Sequence, residues 1–303
     1  MRTARWGGFL ALLACGVGAQ AQTIDHSNPN TGNDDLVATQ SYNWGPVFMG
    51  GLCRLTDKGS SEAVSVFTKR QVNITHFVNS FVFQILAGGP GDPSDGTGNL
   101  ADGLTFTIQN INPTALGGSG GGLGYEGMDH SVAVKFDPVP NAGDPSYSST
   151  GLFTNGQGPY GGINLLSDLV NLRNQHPFRV DMDYNGSVLQ VRITDVVTEA
   201  TAHQSYKIDI ARTIGSQVAY VGFTAATGLG SAAQDLQKWF FSSPPLSEGF
   251  QPNIWRSKLH GAQNAARVLG IAKSSSAWPT RVQTNTKRQA ARKRSIHVAG
   301  LTR

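Results

Sequence analysis

Residues 178–196, "FRVDMDYNGSVLQVRITDV", decide the class of fold. Phe178, Val180, Met182 and Tyr184 alternate with Arg179, Asp181 and Asp183, and Leu189, Val191 and Ile193 alternate with Gln190, Arg192 and Thr194. A period of two puts one face of a strand against a core and the other toward water. Asn185-Gly186 lies between the two runs. That pair readily takes the positive φ values of a type I′ turn, so the segment reads as a β-hairpin.

The same alternation recurs outward from the hairpin. Residues 61–86, "SEAVSVFTKRQVNITHFVNSFVFQIL", read as two strands, the second near residues 80–86. "LTFTIQNI" (104–111) and "SVAVKFD" (131–137) are period-two runs, and "QVAYVGFTAATG" (217–228) and "QKWFFS" (237–242) supply two later strands. Residues 86–99, "LAGGPGDPSDGTGN", read as a polar loop rich in Gly and Pro. Gly makes up 37 of 303 residues and charged residues only 15%, a balance that suits short strands joined by tight turns. Some dozen strands without a long amphipathic helix imply stacked antiparallel sheets or a barrel, and the pattern assigns residues 22–243 to one domain.

The two ends differ from this body. Residues 1–21 carry Arg2 and Arg5, an apolar run from Trp6 to Val17 and a small-residue close at Ala19-Gln20-Ala21. That is the layout of a secretory signal, with a run too short to span a bilayer. The expected location is therefore secreted or in the cell envelope, periplasmic or extracellular. A competing reading makes Cys15 in "LLAC" a lipid-bearing residue, but Leu13 fits that pattern poorly and the cleavage motif lies just downstream. With the leader removed, Cys53 is the one remaining cysteine, which excludes a disulfide framework and a cysteine-based metal site and leaves a small buried apolar residue. Residues 23–243 hold 11 Lys and Arg against 19 Asp and Glu, a net of −8, whereas residues 244–303 hold 11 against Glu248 alone, a net of +10. That basic tail has few large apolar residues and is expected to be disordered. Its charge suits anionic envelope polymers, while the lack of aromatic interleaving argues against a specific nucleic-acid partner.

Three segments carry the chemistry. In "LADGLTFTIQN" (100–110), Asp102 and Gly103 stand at the mouth of an alternating strand, where a carboxylate taken alone reads as a turn or cap acceptor. "ALGGSGGGLGY" (115–125) taken alone reads as a flexible loop. "FDPVPNAGD" (136–144) puts Asp137, Asn141 and Asp144 within eight positions on one bent loop. Oxygen donors at that spacing suit a hard cation such as Ca²⁺, and the same residue types also serve as ordinary turn formers.

Together and in this order, these segments resemble the legume-type (L-type) lectin family in the form common in exported bacterial proteins. "SVAVKFDPVPNAGDPSYSSTGLFTNG" (131–156), "VAYVGFTAATG" (218–228) and "WFFSS" (239–243) extend the resemblance over nearly all of residues 23–243. It implies an all-β fold, a concanavalin A-like jelly-roll sandwich of two antiparallel sheets, with a glycan site in loops at one edge. It also implies that Asp102, following a cis peptide, accepts hydrogen bonds from two sugar hydroxyls, that Gly121 or Gly122 offers a backbone N–H, and that Asn141 donates from its amide. By the same resemblance Asp137, the Val139 carbonyl, Asn141 and Asp144 hold Ca²⁺, which orders the loop; Asp144 sits on a shorter loop than in plant members. Phe153 or Tyr125 would offer an apolar platform for a pyranose, or else belong to the core of a sheet. Leu229 and Gly230 lie in "ATGLGSAAQD" (226–235), where the family varies its length to set specificity.

The sequence departs from the plant pattern at Lys135, where plant members have Glu, and in "GLFTNG" (151–156), where they have a His. Those two residues hold the transition metal, so Mn²⁺ is not expected here. The Lys135 ammonium either occupies the vacated region and pairs with Asp137, or weakens Ca²⁺ by repulsion. The leading expectation is a non-catalytic protein binding glycans or glycoconjugates. Its affinity per site is weak, because sugar hydroxyls exchange water for protein partners, so avidity calls for a homo-oligomer or clustered glycans. A glycoside hydrolase on the same scaffold would need two facing carboxylates, for which Asp181 and Asp183 are the alternating pair. A third reading is a structural surface-attachment protein that has lost sugar binding.

Overall fold

The computed structural model of the chain describes residues 22–26, 32–41, 45–49, 52–88 and 99–245. The leader with Cys15, most of the 86–99 loop and nearly all of the basic tail lie outside those residues. In chain order the strands are β1 (Gln22–Asp25), β2 (Leu36–Gln40), β3 (Val47–Met49), β4 (Leu52–Thr56), β5 (Ala63–Thr68), β6 (Val72–Asn73), β7 (Phe77–Ala87) and β8 (Gly103–Gln109). They continue with β9 (Ser131–Asp137), β10 (Ser149–Thr154), β11 (Ile163–Asn164), β12 (Pro177–Tyr184), β13 (Val188–Asp195) and β14 (Thr201–Lys207). A short helix, α1 (Ile210–Ile214), precedes β15 (Val218–Ala226) and β16 (Ala232–Ser243).

These strands form two eight-stranded sheets whose pairings are antiparallel. The first runs β14-β13-β12-β7-β16-β4-β3 with β1 added beside β16, and the second runs β11-β10-β9-β8-β15-β5-β2 with β6 added beside β15. Face to face they make the expected jelly-roll sandwich. Its core is aromatic: Phe81 meets Phe223 edge-on at 4.9 Å between ring centres, and Phe83 packs on Phe136 at 5.1 Å. Tilted and edge-on contacts of this kind suit the ring quadrupole and add to the burial of apolar surface.

The hairpin of residues 178–196 is present as β12 and β13, with Phe178, Val180, Met182 and Tyr184 buried opposite Ile193, Val191 and Leu189. Its turn differs from the type I′ expectation. Only Gly186 has a positive φ, 93°, while the Asn185 side-chain oxygen accepts from the N–H groups of Ser187 and Val188 at 3.0 and 2.8 Å. The Asn carboxamide thus closes the turn as a local acceptor and spares its own backbone the left-handed region. Residues 61–86 contain three strands where two are expected, β7 starting at Phe77. Cys53 is buried and its thiol is pushed up to about 12, first by desolvation, as suits a small apolar residue.

One end of the second sheet gathers the chemistry. There β8 begins, β9 ends and β15 ends, as the pairs Gly103–Ala226, Leu104–Phe136 and Asp137–Ser149 show. Outside this sheet, on the face away from the main core, Phe67, Ala115, Tyr125, Met128 and Ala133 make a second small cluster beneath the 115–130 segment. That cluster seats the 115–130 segment, which contains the glycine-rich loop, on the outer face of the sheet.

Candidate functional site

Asp102 is the residue immediately before β8, and its peptide link to Ala101 is cis. Its backbone N–H donates to the Ala226 carbonyl at 3.0 Å, which fixes it beside the end of β15. Gly103 follows at φ 131°, and a β-carbon there would stand 2.5 Å from the Phe136 carbonyl oxygen. Only glycine lets the chain turn into β8 so close to β9. Asp102 is 7% exposed, and its Oδ2 is a buried oxygen without a hydrogen-bond partner among the described residues. Desolvation pushes the group up to about 6, against the pull of the Gly228 backbone.

Next to Oδ2 stands Gly228, whose missing β-carbon would lie 2.9 Å from that oxygen and 3.2 Å from the Gly120 Cα. Gly120 donates its N–H to Thr227 O at 3.1 Å, so the 3-10 turn Gly120–Gly122 is bound to the end of β15. On its far side, a β-carbon on Gly121 would be 3.1 Å from Asn141 Oδ1. Asp102, Gly228, the glycine turn and Asn141 therefore follow one another at van der Waals spacing. Two groups hold this row from below. Glu62 and Thr227 exchange hydrogen bonds, Glu62 N–H to Thr227 Oγ1 and Thr227 N–H to Glu62 O, both 3.0 Å. The buried Arg173 donates from Nη1 to Leu100 O at 3.2 Å and to Pro138 O at 2.8 Å, tying the segment before Asp102 to the loop after Asp137.

The expected cation ligands meet a different cation. Lys135 Nζ lies 3.0 Å from Asp137 Oδ2 and 2.6 Å from Asp144 Oδ1, and all three side chains are fully buried. The ammonium also stands 5.7 Å from the centre of the Phe153 ring. Gly151 lies opposite Lys135 in the β9–β10 pairing, and the Phe153 ring folds back over it, Cε2 standing 2.9 Å from where a β-carbon on Gly151 would be. The remaining oxygens already accept N–H groups: Asp137 Oδ1 from Val139 at 2.8 Å, Asp144 Oδ2 from Asn141 at 3.0 Å, and the Val139 carbonyl from Asn141 at 3.0 Å. Burial raises the Asp137 carboxyl and the adjacent Lys135 ammonium pulls it back down. Ca²⁺ takes six to eight oxygens at about 2.3–2.6 Å, whereas this donor set closes around a nitrogen. In this arrangement the residues expected to hold Ca²⁺ do not fit a divalent ion.

The other expected contacts divide. Gly230 packs over Ala101, and Leu229 projects fully into solvent. Gly122 is buried with its N–H donated to Ser119 O at 3.1 Å, which leaves Gly121 as the member of the pair that faces Asn141. Phe153 lies four residues into β10 from the site end, roughly 13 Å along the strand, and packs on the second cluster. Tyr125 is wholly buried there, its hydroxyl accepting from Gly156 N–H at 3.1 Å. Tyr125 is thus a core residue, whereas Phe153 is half-buried, with its ring turned back over Gly151 toward Lys135. Asp181 lies on the first sheet and is held by Arg192 at 2.7 Å, Arg179 at 3.2 Å and the Ser80 hydroxyl at 2.9 Å.

Sequence reasoning missed Gly228, Glu62, Arg173 and Tyr160. Tyr160 is a half-exposed aromatic on the Gly-rich "GQGPYGG" segment (156–162). Its hydroxyl donates to Glu126 Oε2 at 3.2 Å, and its neighbour Gly161 donates N–H to Asp144 Oδ1 at 2.6 Å. Desolvation first, then the carboxylates of Glu126, Asp144 and Asp102, raise its phenol, and the bonds to Glu126 and from Gly161 to Asp144 place it beside the 137–144 loop. A lone aromatic among glycines was the available signal.

Comparison with known proteins gives the family and the fold. The family described as legume lectin domain matches residues 36–253. Favin of Vicia faba is 25% identical over 191 residues, which cover 59% of this chain and 76% of favin. A lectin of Lens culinaris subsp. culinaris is 30% identical over 201 residues, covering 60% of this chain and 67% of the lectin. The structure of the winged bean acidic lectin complexed with methyl-α-D-galactose superposes with a TM-score of 0.60 at 20% identity, covering 75% of this chain and all of that one, a likeness of fold.

Proposed function

Because the chain belongs to the legume lectin family, we propose that it is a non-catalytic glycan-binding protein whose saccharide lies over Asp102, Gly121 and Asn141. The observation that carries this reading is the buried Oδ2 of Asp102, which has no hydrogen-bond partner among the described residues and stands next to Gly228 and Gly120, where no side chain covers it. A buried acceptor left without a donor costs about 1–3 kcal/mol, and vicinal hydroxyls of a sugar would supply the missing donors. In this reading Gly121 offers its backbone, the Asn141 amide donates, Tyr160 lends a face to the C–H side of the ring, and Leu229 and Gly230 border the rim. Ca²⁺ has no part in it, since the loop that presents Asn141 is already closed by Lys135. A sugar complexed with a solved relative supports a glycan as the ligand class. Export through residues 1–21 would place the protein outside the cytoplasm.

A glycan array with the full chain, wild type beside Asp102→Asn and Asn141→Ala, tests the reading. The expected result is saccharide binding by the wild type and a loss of about 10-fold or more for Asp102→Asn, the share of a hydrogen bond to a charged group. Binding by Asp102→Asn equal to that of the wild type, or none by the wild type, would refute it.

A further inference from the structure

We infer that the Lys135 ammonium takes over, in this chain, the role of a loop-ordering metal ion, so that the site is held in its binding geometry without any divalent cation. The inference extends the reading above, because the loop in question is the one that presents Asn141.

The argument begins with the carboxylates. Asp137 and Asp144 come from opposite ends of the 138–143 loop, and each is fully buried. Two buried carboxylates facing a common point repel each other and need a cation between them. Lys135 supplies it from two residues before Asp137 on β9, and its Nζ reaches both acids at hydrogen-bonding distance. A tethered cation brings no binding equilibrium, so its occupancy does not depend on solution composition.

The ammonium also acts on the ligand-facing residues through short links. Asp144 Oδ2 accepts from the Asn141 backbone at 3.0 Å, and Asp137 Oδ2 lies 3.5 Å from Asn141 Nδ2. Asp144 Oδ1, held by Nζ, accepts in turn from Gly161 N–H, next to Tyr160. One buried charge thereby fixes both the 138–144 loop and the 157–162 segment. Access is the other half of the argument. To admit a divalent ion, the lysine side chain would have to leave a site where none of its surface is exposed and strip N–H donors from the carboxylate oxygens. Lys135 is thus a positioning residue that would touch no sugar.

The test uses the full chain and reads melting temperature and bound metal, so a failure of glycan binding and a failure of this inference are distinguishable. Wild type is melted in chelator, in CaCl2 and in MnCl2, and its metal content is measured by elemental analysis after dialysis against each salt. Equal melting temperatures and no stoichiometric metal are expected. Lys135→Glu replaces the internal cation with a third carboxylate and should create a dependence: melting falls in chelator and recovers with Ca²⁺ or Mn²⁺. A purely structural lysine would give a destabilised variant that metal does not rescue, which would overturn the claim of equivalence. Should Lys135→Glu fail to fold under all conditions, the wild-type arm still decides. Stoichiometric Ca²⁺ or Mn²⁺ in the wild type, with a dose-dependent rise in melting temperature, would overturn the inference.

Discussion

Two buried acid arrangements lie at the same end of one sheet and have opposite settings. At Asp102 a single carboxylate is enclosed by backbone and left with one oxygen unanswered. At Asp137 and Asp144 two carboxylates share an ammonium, and each oxygen has a donor. The first arrangement is unstable on its own terms and gains from a ligand; the second is complete and gains from nothing added. The difference teaches where the molecule holds its binding capacity: in the group with unmet hydrogen bonding, with the saturated cluster as scaffold.

The largest effect should come from breaking the scaffold. Lys135→Met removes the ammonium and leaves two facing carboxylates in a closed site, at a cost of about 3–5 kcal/mol. Urea denaturation of the full chain measures it. Adding Asp137→Asn and Asp144→Asn to the same variant should recover most of the loss, because replacing a whole buried ion cluster is far milder than removing one member. A single variant as stable as the wild type would erase the contrast between the two arrangements.

The second effect is on pH, and it separates stability from binding. The folded Asp102 carboxyl, near 6, lies above its ordinary value of 3.8, so burial favours the protonated form. Its contribution to stability is therefore fully present below 3.8 and lost as pH rises through about 6, a difference on the order of 3 kcal/mol. Binding runs the other way, since a sugar hydroxyl donates to the ionised form. Affinity should fall about tenfold for each pH unit below 6. Asp102→Asn should melt higher than the wild type at pH 8 while binding weakly. Glu62, raised to about 7 first by burial and then by Asp57, anchors the neighbouring strand end, and the asparagine variant isolates Asp102 from it. Calorimetric titration across that range, with a glycan identified on the array, would sink the idea if affinity stayed flat.

How much of this was legible in the sequence follows from the range of the forces involved. The hairpin of residues 178–196 was legible because period-two burial is a local property, and β12 and β13 bury every second residue. Its turn was misread because the Asn185 side chain, and not its backbone, closes the loop. Asp102, Gly121 and Asn141 were legible as a linear pattern. Their support was not: Arg173 joins carbonyls 73 and 35 residues away, and Glu62 meets Thr227 across 165 residues. Phe153 and Tyr125 were legible only as aromatics that could serve either a ligand or the sheet, and the structure separates them: Tyr125 is wholly buried, whereas the half-buried Phe153 ring turns back over Gly151 toward Lys135. Lys135 was legible as an anomaly among carboxylates, and the alternatives of pairing with Asp137 or repelling a metal could not be separated until the side chain's burial was known.

The smallest effect concerns Tyr160, and it refines the unfilled half of the comparison. Asp102 supplies polarity, but a pyranose also presents a C–H face; of the two aromatics expected for it, Tyr125 is buried in the second cluster and the half-buried Phe153 packs over Gly151. Tyr160 is 46% exposed on the segment that Asp144 anchors through Gly161. A stacking contact of this kind is worth about 0.5–1.5 kcal/mol, a few-fold in affinity. Tyr160→Ala should therefore weaken glycan binding a few-fold and leave the melting temperature unchanged, since the ring covers no core. Tyr160→Phe separates the two ways in which the residue acts. If the ring face matters, Phe keeps the affinity although the 3.2 Å hydrogen bond to Glu126 is lost; if that bond holds the segment in place, Phe and Ala fall together. Array binding that ignored both substitutions would leave the sugar on the Asp102 side alone and would move the platform to another part of the rim, with Leu229 the remaining exposed apolar side chain there.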